Sequence, residues 1–326
     1  MTALDVHRRI RLGRTDLRVT KLCFGTSALG DAPNSYGYHV DEDRAKATLH
    51  RIFEGPVNFL DTSRNYGMGR SEERIGQVIH ERGGVPEGFV ISTKLDADDT
   101  TGRFDAAQAR RSLAASAKAL GIDHFPLLHL HDPEHARSLD ELLGDDGGLR
   151  ELFRMRDEGS IGAIGLAGGD VAIMMPILRD WDFDVLITHN RFTLTNRNAE
   201  PMIDLAVAKG TAVLNAAPYC GGVLAKGLNA FPRYVYQDLS EPMRQAIERI
   251  ETVCADNGVP TGAAALQFSL RDTRITSTIC GVSRPERVQE TLEWATWPIA
   301  DEVWAALTAL PFTTDDPEAA RPRTLA

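Results

Sequence analysis

Cysteine is scarce in this sequence and forms no set. Four occur in 326 residues, Cys23, Cys220, Cys254 and Cys280, and no two stand at C-x-x-C spacing. That spacing excludes a zinc ribbon and offers no disulfide framework. Scattered thiols point to a reducing, cytoplasmic setting. Long apolar runs are also missing. No stretch approaches the roughly 20 apolar residues that cross a bilayer. The opening Met1-Thr2-Ala3-Leu4-Asp5-Val6-His7-Arg8-Arg9 lacks the apolar centre of a signal peptide, so none is expected. Positive charge is in deficit, with 36 Lys and Arg against 46 Asp and Glu and a net charge of −10. Nucleic-acid binding depends on Lys and Arg meeting phosphate, so no general nucleic-acid partner is expected. A few local cations would still suffice for an anionic cofactor. Neither a G-x-G-x-x-G after a strand nor a G-x-x-x-x-G-K-[ST] loop occurs, which removes the two common nucleotide-phosphate motifs.

What is present is a globular mix, 43% apolar and 25% charged. The length suits one large α/β barrel or two ordinary domains. No linker marks a second domain, so residues 1–326 are read as one. Residues 8–12 and 17–20 flank the turn-rich Gly13-Arg14-Thr15-Asp16 and predict a short N-terminal hairpin. Strand-like segments follow at 21–25, 57–61, 89–94, 124–131, 161–166, 184–190, 212–216 and 275–281. About eight strands is the number that a closed parallel barrel needs. Helical segments lie between them at 41–53, 71–79 (with Ser71 as N-cap), 105–120 (stopped by Gly121), 139–157, 171–179, 199–209, 241–256 and 285–293. Strands alternating with helices predict right-handed crossovers and a (β/α)8 TIM barrel. The segment 218–239 is long, with three Tyr and three Gly, and a long loop after a barrel strand usually carries function. The tail 311–326 is rich in Pro, Thr, Asp and Arg, the composition of a mobile end.

The run Asn58-Phe59-Leu60-Asp61-Thr62-Ser63-Arg64-Asn65-Tyr66-Gly67 sets a carboxylate at the end of a strand and a tyrosine five residues later. A buried Asp is costly unless a cation or a donor meets it. Two later strands end in suitable partners, Lys94 and His131. Side chains alternate along a strand, so Phe59 and Asp61 share a face, as do Val90, Ser92 and Lys94, and Leu127, His129 and His131. If those faces point inward, Asp61, Lys94 and His131 meet at the C-terminal mouth, where such barrels do chemistry. Each residue alone has an ordinary use: a turn cap, a solvated strand end, a rim aromatic, a core histidine. Four compatible groups at successive strand ends favour a proton-transfer site.

From about Ile10 to Pro311 the chain resembles an aldo-keto reductase, on the Asp61-Thr62-x-x-x-Tyr66-Gly67 run with Ser71-Glu72-Glu73, the strand-end Lys94 and the His131-x-Pro133. The resemblance implies the barrel fold, an NAD(P) cofactor bound without a Rossmann domain, and a catalytic tetrad of Asp61, Tyr66, Lys94 and His131. Tyr66 would be the acid/base. A free phenol has a pKa of about 10, and a Lys94 ammonium held by Asp61 is expected to lower it. His131 would orient the substrate oxygen or share the proton. Cofactor contacts are expected from Asn190, Ala216, Tyr219, Gly281, Ser283, Arg284 and Arg287, the last four around a helix start that suits phosphate. The chain departs from the family in three places. Gly165-Leu166-Ala167-Gly168-Gly169 stands where many members carry a Ser-Asn pair for the carboxamide. Ala216 replaces a stacking Tyr, with Tyr219 as a substitute, and Gly281 stands where a Lys is often found.

Thr188-His189-Asn190-Arg191-Phe192-Thr193-Leu194, together with 215–224, is most similar to the branch of L-fucose, D-threo-aldose and pyridoxal dehydrogenases. That implies oxidation of a cyclic hemiacetal to a lactone. Polar loop residues Asn34, Tyr36, Tyr38, Arg64, Asn65 and His189 suit a polyhydroxy substrate. His129-Leu130-His131 has the spacing to hold a metal from one face, but the last strand ends Ile279-Cys280-Gly281 without a carboxylate. No metal is expected, and His129 is read as a layer beneath the site. Two other classes stay open: a class I aldolase with Lys94 as Schiff base, and a nicotinamide-binding regulatory subunit without turnover. The oligomeric state is not legible.

Overall fold

A computed structural model of the chain describes residues 5–320, so the last part of the tail, 321–326, lies outside the described residues. The hairpin pairs β1 (Arg9–Arg11) with β2 (Arg18–Thr20). Then come β3 (Leu22–Gly25), β4 (Phe59–Asp61), β5 (Val90–Leu95), β6 (Phe125–His131), β7 (Ile161–Gly168), β8 (Val185–His189) and β9 (Ala212–Ala216). A small antiparallel pair, β10 (Arg233–Tyr234) and β11 (Gln237–Asp238), sits in the long loop after β9. Last is β12 (Ser277–Gly281), which pairs in parallel with both β9 and β3 and so closes an eight-stranded barrel. The fold is the predicted (β/α)8 barrel, with the hairpin in front.

The alternation of side chains explains how the barrel fills. Cys23, Phe59, Val90, Leu127, Ala163, Val185, Leu214 and Ile279 pack in one interior cluster. Leu12 and Val19 of the hairpin join that cluster and close the barrel floor. Residues on the opposite face, among them Leu60, Ile91, Leu128, Leu130, Leu166 and Leu186, join the core shared with the helices. Apolar residues fill the lower interior, so the polar members of the same faces, Asp61, Lys94 and His131, fall at the upper ends.

Helices cover the outside, and side-chain caps open several of them. The Asp41 carboxylate accepts from Arg44 N–H at the start of Glu42–Phe53, and Asp105 accepts from Gln108 N–H before Ala106–Leu120. Gly121 ends the latter helix in the left-handed region. Ser71 is not a cap: the helix Arg70–Arg82 starts earlier, and the Ser71 hydroxyl donates to Thr26 O at 3.1 Å. The predicted helix 139–157 is two, Leu139–Leu143 and Gly148–Asp157, separated by a turn from which Gly147 bridges to Asp105. Among the described residues, two helices of eight residues or more were not anticipated. Thr261–Arg271 is buried along almost its whole length, so it has no polar stripe to betray its period. Asp301–Thr308 is short and lies between the last crossover and the tail.

The tail is tied down over residues 313–318. Arg197 N–H donates to Thr313 O, Asn196 Nδ2 to Asp315 O and Gln237 Nε2 to Pro317 O. Arg191, only 2% exposed, forms ion pairs with Asp316 at 2.6 Å and Glu318 at 2.8 Å.

One close backbone approach fixes the loop that carries Tyr66. Gly67 has φ 63°, and a Cβ added there would fall 1.9 Å from Gly30 O. Gly67→Ala therefore brings both a clash and an unfavourable backbone conformation, at a cost of roughly 2–4 kcal/mol. Urea denaturation checks this; an unchanged midpoint would show that the loop gives way freely.

Candidate active site

Strand register brings the sequence-predicted groups together. β4 lies beside β5 with Asp61 opposite Ser92, and β5 lies beside β6 with Lys94 opposite His129. Lys94 Nζ donates to Asp61 Oδ2 at 2.7 Å and to Thr62 O at 2.6 Å. Ser92 Oγ donates to the other oxygen of Asp61 at 3.0 Å. Lys94 is 1% exposed and Asp61 3%, so this ion pair is almost wholly removed from water. Lys94 Nζ stands 4.8 Å from the centre of the Tyr66 ring. The Tyr66 and His131 rings meet edge to face, 5.9 Å between centres.

His131 has a partner that the sequence reading overlooked. Its Nδ1 lies 2.5 Å from Asp96 Oδ1. Ser63 Oγ donates to Asp96 Oδ2 at 2.9 Å, and Asn65 N–H reaches the same oxygen at 3.3 Å. The Asp96 backbone is held by Ser112 and Gln108 of the helix Ala106–Leu120. Asp96 stands two residues after Lys94, on the parity of Ser92 and Lys94, and that spacing was the available signal.

The electrostatics differ from expectation at Tyr66. Burial, followed by the charges of Asp61 and Asp132, pushes its phenol well above the ordinary value. The Lys94 ammonium does not pull it down, because that charge is spent on Asp61. At neutral pH Tyr66 is therefore a proton donor. His131 moves up as well. Burial opposes its charged form, but the carboxylates of Asp132 and Asp96 outweigh burial and favour the imidazolium. His129 lies below them, fully buried, and burial, then Lys94 and His131, hold it neutral. Among the described residues, no group of three or more His, Cys, Asp or Glu is arranged to hold a metal.

A cavity of about 860 Å³ opens over these groups. Its catalytic side is lined by Asp61, Tyr66, Lys94 and His131. Ala167, Gly168, Ala216, Ala217 and Gly281 line it with small side chains, and Gly281 has open space where a Cβ would stand. Ser283, Arg284 and Arg287 line it too, as does Lys226 of the loop after β9. Lys226 lies 4.0 Å from both the Tyr38 and Phe231 ring centres. Burial, then Arg287, Arg284 and Arg44, lower its pKa to about 8. Small side chains near the tetrad and a cluster of cations along the same cavity fit a flat ring with a phosphate arm, and among the described residues the acid paired to those arginines is Glu290.

Two expected cofactor residues sit differently. Asn190 does not line the cavity. Its φ of 58° turns the chain, its side chain is fully buried against His189 Nδ1 at 3.3 Å, and His189 takes the lining position. Tyr219 lines the cavity yet is 6% exposed, its ring edge-on to Trp294 at 5.8 Å. Where the usual Ser-Asn pair is missing, a Cβ at Gly169 would fall 2.5 Å from Arg191 Nη1 and 2.9 Å from His189 Nε2, so those two side chains use the space.

Fold and site together define a barrel enzyme whose polar groups gather at the C-terminal mouth. The chain belongs to the aldo/keto reductase family, whose sequence model matches residues 21–311. It is an NAD(P)-dependent oxidoreductase. It is 29% identical to a pyridoxal 4-dehydrogenase of Microbacterium luteolum, over 93% of this chain and 97% of that protein. It is also 29% identical to a D-threo-aldose 1-dehydrogenase of a Pseudomonas species, over 89% and 94%. In structure it resembles an aldo-keto reductase of Bacillus halodurans in its holo form, with a TM-score of 0.74 at 18% identity, covering 93% and 96% of the two chains. Among the described residues no helix is long and apolar enough to cross a membrane.

The buried pair gives a stability test. Asp61→Asn leaves the Lys94 charge buried with one partner fewer, which costs about 3–5 kcal/mol. Adding Lys94→Met recovers part of that loss. Urea denaturation of the single and double variants measures the coupling; strict additivity would mean that the pair does not act as a unit.

Proposed function

We propose that this chain oxidises an aldose at C1, taking a cyclic hemiacetal to its lactone with a nicotinamide dinucleotide as electron acceptor. The observation that carries the reading is the convergence of Tyr66, His131 and the Asp61–Lys94 pair on one cavity with small side chains at the strand ends. The aldose and pyridoxal dehydrogenase names of its relatives support the substrate class. When bound, the cofactor accepts the C1 hydrogen with two electrons, so the hydroxyl proton must leave separately.

Tyr66 is the group that receives or returns that proton. Its high pKa makes it an acid near neutrality, suited to returning a proton to a carbonyl oxygen, and a base only as pH rises. Lactone formation should therefore accelerate with pH, and carbonyl reduction should weaken. His131, braced by Asp96 and with its imidazolium favoured by Asp132 and Asp96, holds the substrate oxygen and supports proton transfer. Ala216, Gly281 and Ser283 line the part of the cavity that would take the nicotinamide, and Arg284, Arg287 and Lys226 would meet the phosphates. Lys94 has two acceptors at hydrogen-bond distance, which suits a fixed ammonium and not the free amine of a Schiff-base aldolase.

The direct experiment follows reduced-nicotinamide absorbance with NAD and NADP against aldoses, pyridoxal and simple aldehydes. No turnover of any sugar with either cofactor would overturn the aldose reading. Tyr66→Phe is expected to lower kcat by roughly 10²–10⁴-fold with little change in cofactor affinity; a fully active variant would remove Tyr66 from its role. The pH profile tests His131. Its imidazolium is present below its raised pKa and is lost as pH rises through it. Asp96→Asn removes one of the charges that raise it, so the reductive limb should move to lower pH. An unmoved limb would mean that Asp96 does not act through His131.

A further inference from the structure

The wall beside His131 carries a carboxylate that the proton chemistry does not use. Asp132 follows β6 with φ 40° and ψ 63°, in the left-handed region, and lines the same cavity as Tyr66 and His131. Its Oδ2 lies 3.4 Å from His131 Nε2 and 3.6 Å from His135 Nδ1. Its Oδ1 is buried and has no hydrogen-bond partner among the described residues. An ionised carboxylate offers about four acceptor sites and no donor. The side chain as a whole is 20% exposed and lines the cavity, so part of its acceptor capacity is open to a donor supplied from outside the protein.

We propose that Asp132 accepts a hydrogen bond from the substrate hydroxyl next to the reacting carbon, and so selects polyhydroxy substrates over simple aldehydes; this rests on the aldose reading above. Geometry supports the position. Asp132 Oδ2 and His131 Nε2 are separated by a distance on the scale of two vicinal oxygens on a sugar, so one can be held at His131 and the other at Asp132. Charge supports the class of donor. Burial would favour the neutral acid, but His131, His135 and His189 outweigh it and keep Asp132 ionised. An ionised carboxylate only accepts, and a substrate hydroxyl is a donor that fits it. An aldehyde with no such hydroxyl would strip water from the carboxylate and return nothing. A site built to bond a hydroxyl rejects the analogue that lacks it more strongly than an apolar pocket rejects a lost methylene.

The test pairs one change in the protein with one in the substrate. Wild type, Asp132→Asn and Asp132→Ala are assayed with the best aldose of the panel and its 2-deoxy counterpart, L-fucose and 2-deoxy-L-fucose being the starting pair. Wild type is expected to favour the full aldose by about 10- to 100-fold in kcat/KM, mainly through KM. In Asp132→Ala that preference should collapse to within about twofold, the usual error of additivity. Effects that Asp132 exerts through His131 act on both sugars and cancel in the ratio. The isosteric Asn variant guards against a folding defect in the Ala variant and should lose most of the preference too. A wild type that turns over both sugars equally, or variants that keep the full preference, would overturn the assignment and leave the aldose reading standing. A wild type that reduces simple aldehydes but turns over neither sugar would overturn the aldose reading, and this assignment with it.

Discussion

The site depends on one buried ion pair. Asp61 and Lys94 come from adjacent strands, and almost no water reaches either. Moving two charges out of water costs several kcal/mol each, and their attraction repays this only when the geometry is good and the remaining lone pairs and protons are met. Here they are: Ser92 satisfies the second carboxylate oxygen and Thr62 O takes another ammonium proton. Those bonds require that β4 and β5 keep their register and that the loop after β4 turn back over the strand end. That same loop delivers Tyr66, whose backbone N–H bonds Ser63 O at 3.2 Å. The ion pair, the loop and the phenol thus form one construction.

Pairing also explains why Tyr66 has a high pKa beside an ammonium. A lone cation would favour the phenolate, but a cation already matched by a carboxylate leaves little net charge, and burial then decides the direction. The imidazole beside it takes the opposite course. With carboxylates at both nitrogens, His131 gains more from charge than it loses to burial. Two neighbouring groups therefore keep their protons for different reasons, one because the packing around it disfavours the phenolate and the other because it is flanked by anions.

Much of this architecture was legible in the sequence. All eight barrel strands appear where the apolar runs were read, and most of those runs end in Gly, Asp, Lys or His, because a strand buried on both sides is nearly continuous in hydrophobicity and its terminus stands out. The convergence of Asp61, Lys94 and His131 was readable from alternation, and Tyr66 joined them through its place on the following loop and the family resemblance. What stayed hidden depends on contacts between distant segments. The helix Thr261–Arg271 has no exposed face to reveal its period. Asp96 looks like the first residue of an acidic loop, Asp96-Ala97-Asp98-Asp99, until the fold sets it against His131. Asn190 was displaced from the cavity by a left-handed backbone that no local pattern announces, and Lys226 entered it from a loop whose path composition does not specify.

Closure of the barrel joins Leu22–Gly25 to Ser277–Gly281, the first and last of its strands. Two segments more than 250 positions apart must therefore meet before the cylinder around Asp61 and Lys94 is complete, and the dryness of that pair is a property of the closed barrel, not of the strands that carry it.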